Sequence, residues 1–405
     1  LKILFAHQNY PGQFGRLSAA LIAEGHQVTA FGMAPTCRVP GVDYHRYDLA
    51  EGPDPAEFNG RYRDWVHTAR RGYAVADLAA ALRRAGYAPD VIVCNTGWGE
   101  SLFLKDIWPK ARVIAYLEYY YAAEGQDVGF DPEFPTRNEE TIWKLRLKNG
   151  VQLAAFDAAD AAVAPTAYQR SVLPAYLHDR CEVIHDGIDT GALRPDPSAS
   201  IRLAPDGPAF GRGTPLVTYS TRTFEPMRGA HIFIRNLPAL LRLDPALQVV
   251  CIGATNGGYG PKPGADRNWL DIFKKQVEGQ VDWSRVHFVG QLPYPQYVRV
   301  LQASAAHIYL TAPFVLSWSM IESLSLGCRL VASNTPPVAE VVQHGVNGRL
   351  FPFFDGKEMV RQVRKVLKDK AMADALSAEA RRTAVERYDF QTVCYPRWRQ
   401  LLGLA

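Results

Sequence analysis

The chain has 405 residues, enough for two or three domains that each bury a full core. Hydrophobic residues at 47% and charged residues at 21% are those of an ordinary globular enzyme, and a net charge of +4 is too mild to argue for nucleic acid. An anionic small ligand or loose contact with an acidic membrane surface suits that charge equally well.

In chain order, "KILFAH" reads as a buried strand, "GRLSAALIAEGH" as an amphipathic helix ending at Gly25, and "QVTAFG" as a second strand. The start has no long apolar run or small-residue cleavage site of a signal peptide, and no stretch approaches the ~20 apolar residues of a membrane span. "AVADLAAALRRAGY" is helical, followed by strands "DVIVCN" and "RVIAYLE". The Pro- and Gly-rich run Asp186 to Pro215 reads as a linker. Alternation then resumes with strands "LVTYST", "LQVVCIGA", "VHFVG", "AHIYLTA" and "RLVAS". Helical patterns "GAHIFIRNLPALLRL", "YPQYVRVLQAS" and "MIESLSLG" lie between them, and two more, "GKEMVRQVRKVLKD" and "AMADALSAEARRTAVERY", close the chain ahead of "FQTVCYPRWRQLL". Repeated strand–helix–strand units predict an α/β fold of two doubly wound parallel sheets, with ligands at the carboxyl ends of the strands and a cleft between two facing domains as the default site. The six cysteines are scattered without metal spacing, which reads as reduced thiols of a cytoplasmic protein.

Six stretches carry chemistry. "HQNYPGQFGR", residues 7–16, is a strand–helix turn in which Gly12 and Gly15 permit tight turning beside a helix N-terminus. It serves equally as a plain connection or a substrate loop, and His7 as a buried histidine or a catalytic one. "GRYRDWVHTARRGY", residues 60–73, mixes Arg61, Arg63, Arg70 and Arg71 with Trp65 and Tyr73. Both a membrane-surface helix and a solvated helix with a buried aromatic look like this. "YLEYYY", residues 116–121, offers Glu118 as a base or sugar-hydroxyl acceptor among aromatics, or is a partly buried strand end. "STRTFEPMRGA", residues 220–230, places Arg222 just past a strand and Arg228 before a helix, a pair suited to phosphate or to a surface ion pair. Around Gly290 and Leu292, "FVGQLPYPQYVRVL" is a strand-end turn that could hold a flat base through its backbone. Finally "PFVLSWSMIESLSLG", residues 313–327, puts Glu322 at an expected helix start behind a loop of Leu316, Ser317, Trp318 and Ser319 with backbone N–H groups free for hydroxyls or phosphate.

Taken in order, these stretches resemble retaining glycosyltransferases of family 4, of GT-B architecture, and in particular a bacterial subgroup with an "HQN-PGQF" start. The resemblance runs over nearly the whole chain. "TRTFEPMRG" is similar to the family's arginine and lysine–glycine phosphate motif, and "PFVLSWSMIESLSLGCRLVASNTPPVAEVVQHGVNGRLF" to its donor segment. "RYDFQTVCYPRWRQLL" resembles the helix that crosses back to the first domain.

The resemblance implies an acceptor domain over 1–190 with a crossing helix at 388–405, a linker at 191–213 and a donor domain at 214–387. It implies transfer from a nucleotide-sugar, UDP-linked such as UDP-glucose or UDP-GlcNAc, to a polysaccharide or lipid-linked saccharide at the cytoplasmic side of a membrane, with no cofactor and no metal. Arg222 and Arg228 would neutralise the diphosphate and Glu322 would hold the ribose. Glu118 would contact the sugar, while Gly290 and Leu292 hold the base and residues 316–319 orient the sugar. Gly12, Gln13, Phe14 and Gly15 would face diphosphate or acceptor. Two departures stand out: Phe314 occupies the position of the family's first acid, and Glu118 that of a histidine. The alternatives are a non-catalytic nucleotide-binding partner and a UDP-sugar 2-epimerase.

Overall fold

The computed structural model describes residues 1–52, 62–202, 207, 209–211, 213–260, 262–264 and 267–404. The first part of the chain runs β1 (Lys2–Ala6), α1 (Gly15–Ala23), β2 (Gln27–Gly32), β3 (Asp43–Arg46), α2 (Arg63–Arg84), β4 (Val91–Asn95), α3 (Leu104–Ile107), β5 (Arg112–Tyr116), α4 (Glu139–Ala158), β6 (Ala161–Ala164), α5 (Ala167–Ser171) and β7 (Cys181–Val183). A short pair, β8 (Ser200–Arg202) and β9 (Ala209–Gly211), follows. Next come β10 (Leu216–Thr223), α6 (Ala230–Arg235), α7 (Leu237–Leu241), β11 (Gln248–Ala254), α8 (Trp269–Gln276), β12 (Val286–Phe288), α9 (Tyr294–Ala303), β13 (Ala306–Tyr309), α10 (Trp318–Ser325), β14 (Leu330–Ser333), α11 (Pro336–Ala339) and β15 (Arg349–Phe351). Helices α12 (Gly356–Lys368), α13 (Lys370–Tyr388) and α14 (Tyr395–Leu402) close the chain.

Two compact units result. Unit 1 holds Leu1–Ala123, Arg137–Gly187 and Phe390–Ala405; unit 2 holds Glu124–Thr136 and Ile188–Asp389. The sheet of unit 1 has the order β3-β2-β1-β4-β5-β6-β7 and that of unit 2 the order β12-β11-β10-β13-β14-β15. Every pairing within these two sheets is parallel, as the alternation predicts.

Parallel sheets covered by helices on both faces need apolar residues at successive positions. In β1, Leu4 and Ala6 join the core on one face, and Ile3 and Phe5 the core on the other; all are 0% exposed. Trp398 and Leu401 of α14 complete the second of these cores.

The structure departs from the sequence reading in two places. The first domain is not continuous to residue 190, because Glu124–Thr136 packs in unit 2. There Phe130 and Phe134 lie against a core that includes Phe273 and Phe353. His231 Nε2 stands 3.1 Å from Asp131 Oδ2, and Arg235 forks onto the Glu133 carboxylate. The stretch read as a linker is anchored at several of its described residues. Ile188 and Leu193 belong to a core of unit 2, and β8 pairs antiparallel with β9.

Candidate functional site

In each sheet the chain builds outward one way and then reverses. The reversal falls between β10 and β13 in unit 2 and between β1 and β4 in unit 1. At such a switch point the connections leave the carboxyl ends of adjacent strands in opposite directions and open a crevice.

In unit 2, Arg222 is the second-to-last residue of β10, and Arg228 closes a short 3-10 turn, Pro226–Arg228. Gly229 after it has φ +67°, and a Cβ there would stand 2.7 Å from Leu310 Cβ. Only glycine allows both the left-handed backbone and this close approach to the end of β13. Arg228 is therefore tightly placed. Its carbonyl accepts the Tyr219 hydroxyl at 2.6 Å, its Nη1 donates to Thr311 Oγ1 at 2.7 Å, and its guanidinium lies 5.9 Å from the Phe314 ring centroid.

Arg222 donates to the Tyr259 hydroxyl and lies 5.1 Å from that ring's centroid. Tyr259 in turn packs on Phe314, with centroids 5.7 Å apart. The loop carrying Tyr259 is fixed from beneath by Glu225. That residue is 2% exposed, and its Oε2 accepts the backbone N–H of Tyr259 and of Gly260, each at 2.9 Å. Gly258 passes so close that a Cβ would sit 2.5 Å from the same oxygen. The position that lacks an acid is thus filled by an aromatic ring packed among an arginine and a tyrosine. Sequence reasoning missed Glu225 and Tyr259; the signal available was a buried-type acid between two arginines and the run "TNGGYG" after β11.

Glu322 is also buried, 7% exposed, and its Oε1 accepts the Tyr294 hydroxyl at 2.8 Å. Tyr294, from the start of α9, stacks on Tyr297 with centroids 6.0 Å apart. Burial, and then the Glu322 charge, push the Tyr297 phenol well above its ordinary range. Glu322 does not open its helix. α10 begins at Trp318, capped by Ser317, whose Oγ accepts Ser319 N–H at 3.3 Å. Serine is a favoured N-cap, and Glu322 lies five residues further on, inside the helix. The expected free N–H groups are partly spent, since Ser317 N–H donates to the Tyr309 hydroxyl at 3.4 Å and Ser319 N–H to the cap. Leu316 is a core side chain, while Trp318 is exposed. Gly290 has φ +68° and its carbonyl accepts Gly253 N–H at 3.0 Å; Leu292 packs beside Val250, Ile252 and Val300.

In unit 1, Gly12 has φ +47°, and a Cβ there would lie 2.9 Å from His7 Cε1. Gly15, at φ −59°, is ordinary helix and does not need to be glycine. Phe14 is core, edge-on to Tyr116 at 5.4 Å, so its ring faces no ligand. Gln13 Nε2 is shielded and has no acceptor among the described residues. Burial lowers His7 to about 4, so it is neutral near pH 7, and its Nδ1 accepts Asn9 N–H. Glu118 follows β5, half-buried, 3.5 Å from Asn95 Nδ2 at the end of β4. Of the tyrosines around it, Tyr116 and Tyr119 are buried and stack on no sugar. In α2, Trp65 and Tyr73 are 44% and 59% exposed, so neither is the buried aromatic of a solvated helix; Arg61 lies outside the described residues. No described helix is long and apolar enough to cross a membrane.

Residues 24–193 match the family described as "Glycosyl transferase family 4 group", and residues 209–383 that described as "Glycosyl transferases group 1". A relative named glycogen synthase, from Mycobacterium tuberculosis, is 24% identical, the match covering 97% of this chain and 92% of that protein. Among solved structures, a sucrose-phosphate synthase from Thermosynechococcus elongatus superposes with a TM-score of 0.74 at 17% identity, covering 100% of both chains. Anabaena Alr3699/HepE, solved in complex with UDP, superposes with a TM-score of 0.70 at 17% identity, again covering 100% of both. These likenesses establish the GT-B fold.

Proposed function

We propose that this chain, a glycosyltransferase of GT-B fold, moves a sugar with retention from a UDP-linked donor to a saccharide acceptor, either a polysaccharide or a lipid-linked saccharide. The observation that carries the reading is the pair of arginines at the switch point of unit 2, with the buried carboxylate of Glu322 on the helix that follows β13. A leaving nucleoside diphosphate develops negative charge. A guanidinium held in place by Thr311 stabilises that charge without reorganising at the moment of reaction. In this reading Arg228 and Arg222 neutralise the diphosphate and no divalent ion is required; EDTA leaves the rate unchanged. Glu322 accepts the two ribose hydroxyls, with Tyr294 either ceding the carboxylate or sharing it. Gly290 and Leu292 lie beside the base, and the main chain of 316–319 beside the sugar. In unit 1, Glu118 accepts an outer sugar hydroxyl, and the turn of residues 12–15 faces the diphosphate or the acceptor, although the N–H groups of Gly12 and Phe14 are donated to the Asn9 and Pro11 carbonyls. The departing phosphate oxygen takes the acceptor's proton, so the acceptor oxygen bonds to the anomeric carbon on the face the diphosphate leaves.

UDP as the donor nucleotide is supported by Anabaena Alr3699/HepE, which has been solved with UDP and with UDP-glucose. Thermal unfolding with UDP, GDP, ADP and CMP tests the reading. A ligand of the native state alone stabilises by about 2.7 kcal/mol at a hundredfold excess over its dissociation constant. UDP alone raises Tm in this reading, and absence of any nucleotide shift refutes it.

Phe314 favours one second reading, a nucleotide-binding partner without catalysis, because the position that the family gives to an acid is apolar here. UDP binding without transfer or slow donor hydrolysis would select it.

A further inference from the structure

Unit 1 contains a cavity of about 490 Å³ that is lined by none of the residues placed at the donor. It opens between the first half of α2, the first half of α4 and the turn after β4. α2 leads into β4 and α4 into β6, so both helices start at the carboxyl edge of the sheet. The turn Gly97–Trp98 leaves that same edge, on the β4 side of the switch point. This is where open α/β sheets bind ligands.

The lining has two chemistries. Trp65 and Trp98 provide broad aromatic faces, and Trp65 remains 44% exposed. Large aromatics left in water on a surface cavity suit the C–H faces of sugar rings, which are apolar on one side and hydroxylated at the edge. Arg71, Lys144 and Lys148 line the same cavity, with Asp64 the one carboxylate among its lining residues. These cations are positioned rather than loose. Arg71 Nη1 donates to the Trp98 carbonyl at 2.7 Å, Lys148 Nζ rests 3.7 Å from the Tyr121 ring centroid, and Lys144 pairs with Glu140 at 3.0 Å. A lysine held over an aromatic keeps its charge while giving up part of its water, so an anion displaces less water in reaching it.

We infer that this cavity is the acceptor site and that the acceptor is an anionic saccharide, a sugar carrying a carboxylate or phosphate group. The ring stacks on Trp65 and Trp98 and the anion is met by Lys148 and Arg71. The inference rests on the glycosyltransferase reading for the word acceptor, but the binding itself is independent of any donor.

The test is saturation-transfer NMR without nucleotide, using glucose, glucuronate and glucose 6-phosphate as probes. The wild type, Lys148→Gln and Trp65→Ala proteins are compared, with Tm confirming that each variant is folded. The expected result is about tenfold tighter binding of the two charged sugars than of glucose, as a charge-assisted contact provides. Lys148→Gln removes that advantage and leaves glucose unchanged, and Trp65→Ala weakens all three. Equal binding of glucose and the charged sugars, or charged-sugar binding unaffected by either substitution, overturns the inference. So does Trp65-dependent binding to phosphatidylglycerol vesicles without binding of any sugar, which would make the patch a membrane contact. UDP stabilisation of all three proteins with no sugar binding discards the cavity and keeps the donor reading; sugar binding without nucleotide binding does the reverse.

Discussion

Glu225→Ala exposes how the arginine pair is organised. The carboxylate lies beneath the loop of residues 255–260 and accepts two backbone N–H groups, each at 2.9 Å, in a site 2% exposed. A hydrogen bond to a charged acceptor contributes about 1.5–3 kcal/mol, so two of them hold this loop by roughly 3 kcal/mol at least. Removing the side chain leaves both N–H groups to find water, which requires the loop to lift. Tyr259 then leaves Arg222 and Phe314. The assay is native-state hydrogen exchange. A loss of about 3 kcal/mol in local opening speeds exchange at the Tyr259 and Gly260 amides roughly a hundredfold, while the β10 and β11 amides keep their protection. Glu225→Gln, which retains one acceptor oxygen but no charge, falls between the two. Unchanged exchange at residues 259 and 260 in Glu225→Ala would refute the idea that this carboxylate holds the loop.

Arg228→Ala lowers kcat by about 10²–10³, the cost of one preorganised donor at a developing anion, with Tm close to wild type. An unchanged rate removes Arg228 from the proposed chemistry. Gly12→Ala destabilises unit 1 by about 1–2 kcal/mol, because the left-handed backbone resists a side chain and the new Cβ meets His7; urea denaturation measures it. His307 is buried, its Nδ1 is 2.8 Å from Thr218 Oγ1, and burial lowers it to about 4. A histidine whose folded value lies below its unfolded one contributes stability above about pH 6.5. That contribution is lost as pH falls toward 4, up to roughly 3 kcal/mol for this group. His307→Gln therefore flattens the stability profile between pH 6.5 and 4, and an unaltered slope contradicts it.

The central strands were legible because both faces of each are buried: β1 and β4 are almost wholly apolar, and β10 and β13 carry apolar residues among buried Thr218 and His307. β3 was not, since its sequence DYHR is half-exposed at the sheet edge. α4 buries Asn149 and Gln152 beside Val151, which blurs its stripe. The run 230–241 reads as one helix, yet it breaks at Asn236, ahead of Pro238, which has no N–H to donate. Around the arginines, the residue types were legible from the motif and their partners were not. Tyr259 reaches Arg222 only through a glycine-rich loop, and Tyr294 meets Glu322 from a different helix. Such contacts are set by tertiary approach, which leaves no period in the sequence.

The chain passes between the two units at residues 123–124, 136–137, 187–188 and 389–390. During synthesis, the sheet of unit 1 can form its strands early, but one of its cores stays open until Trp398 and Leu401 have emerged. By then all of unit 2 has been made. Unit 2 can therefore close before unit 1, and a cut at residue 190 would strip Phe130 and Phe134 from one and α14 from the other. Unit 1 must therefore carry exposed apolar surface until the end of the chain has been made, the circumstance in which a folding protein depends most on chaperones.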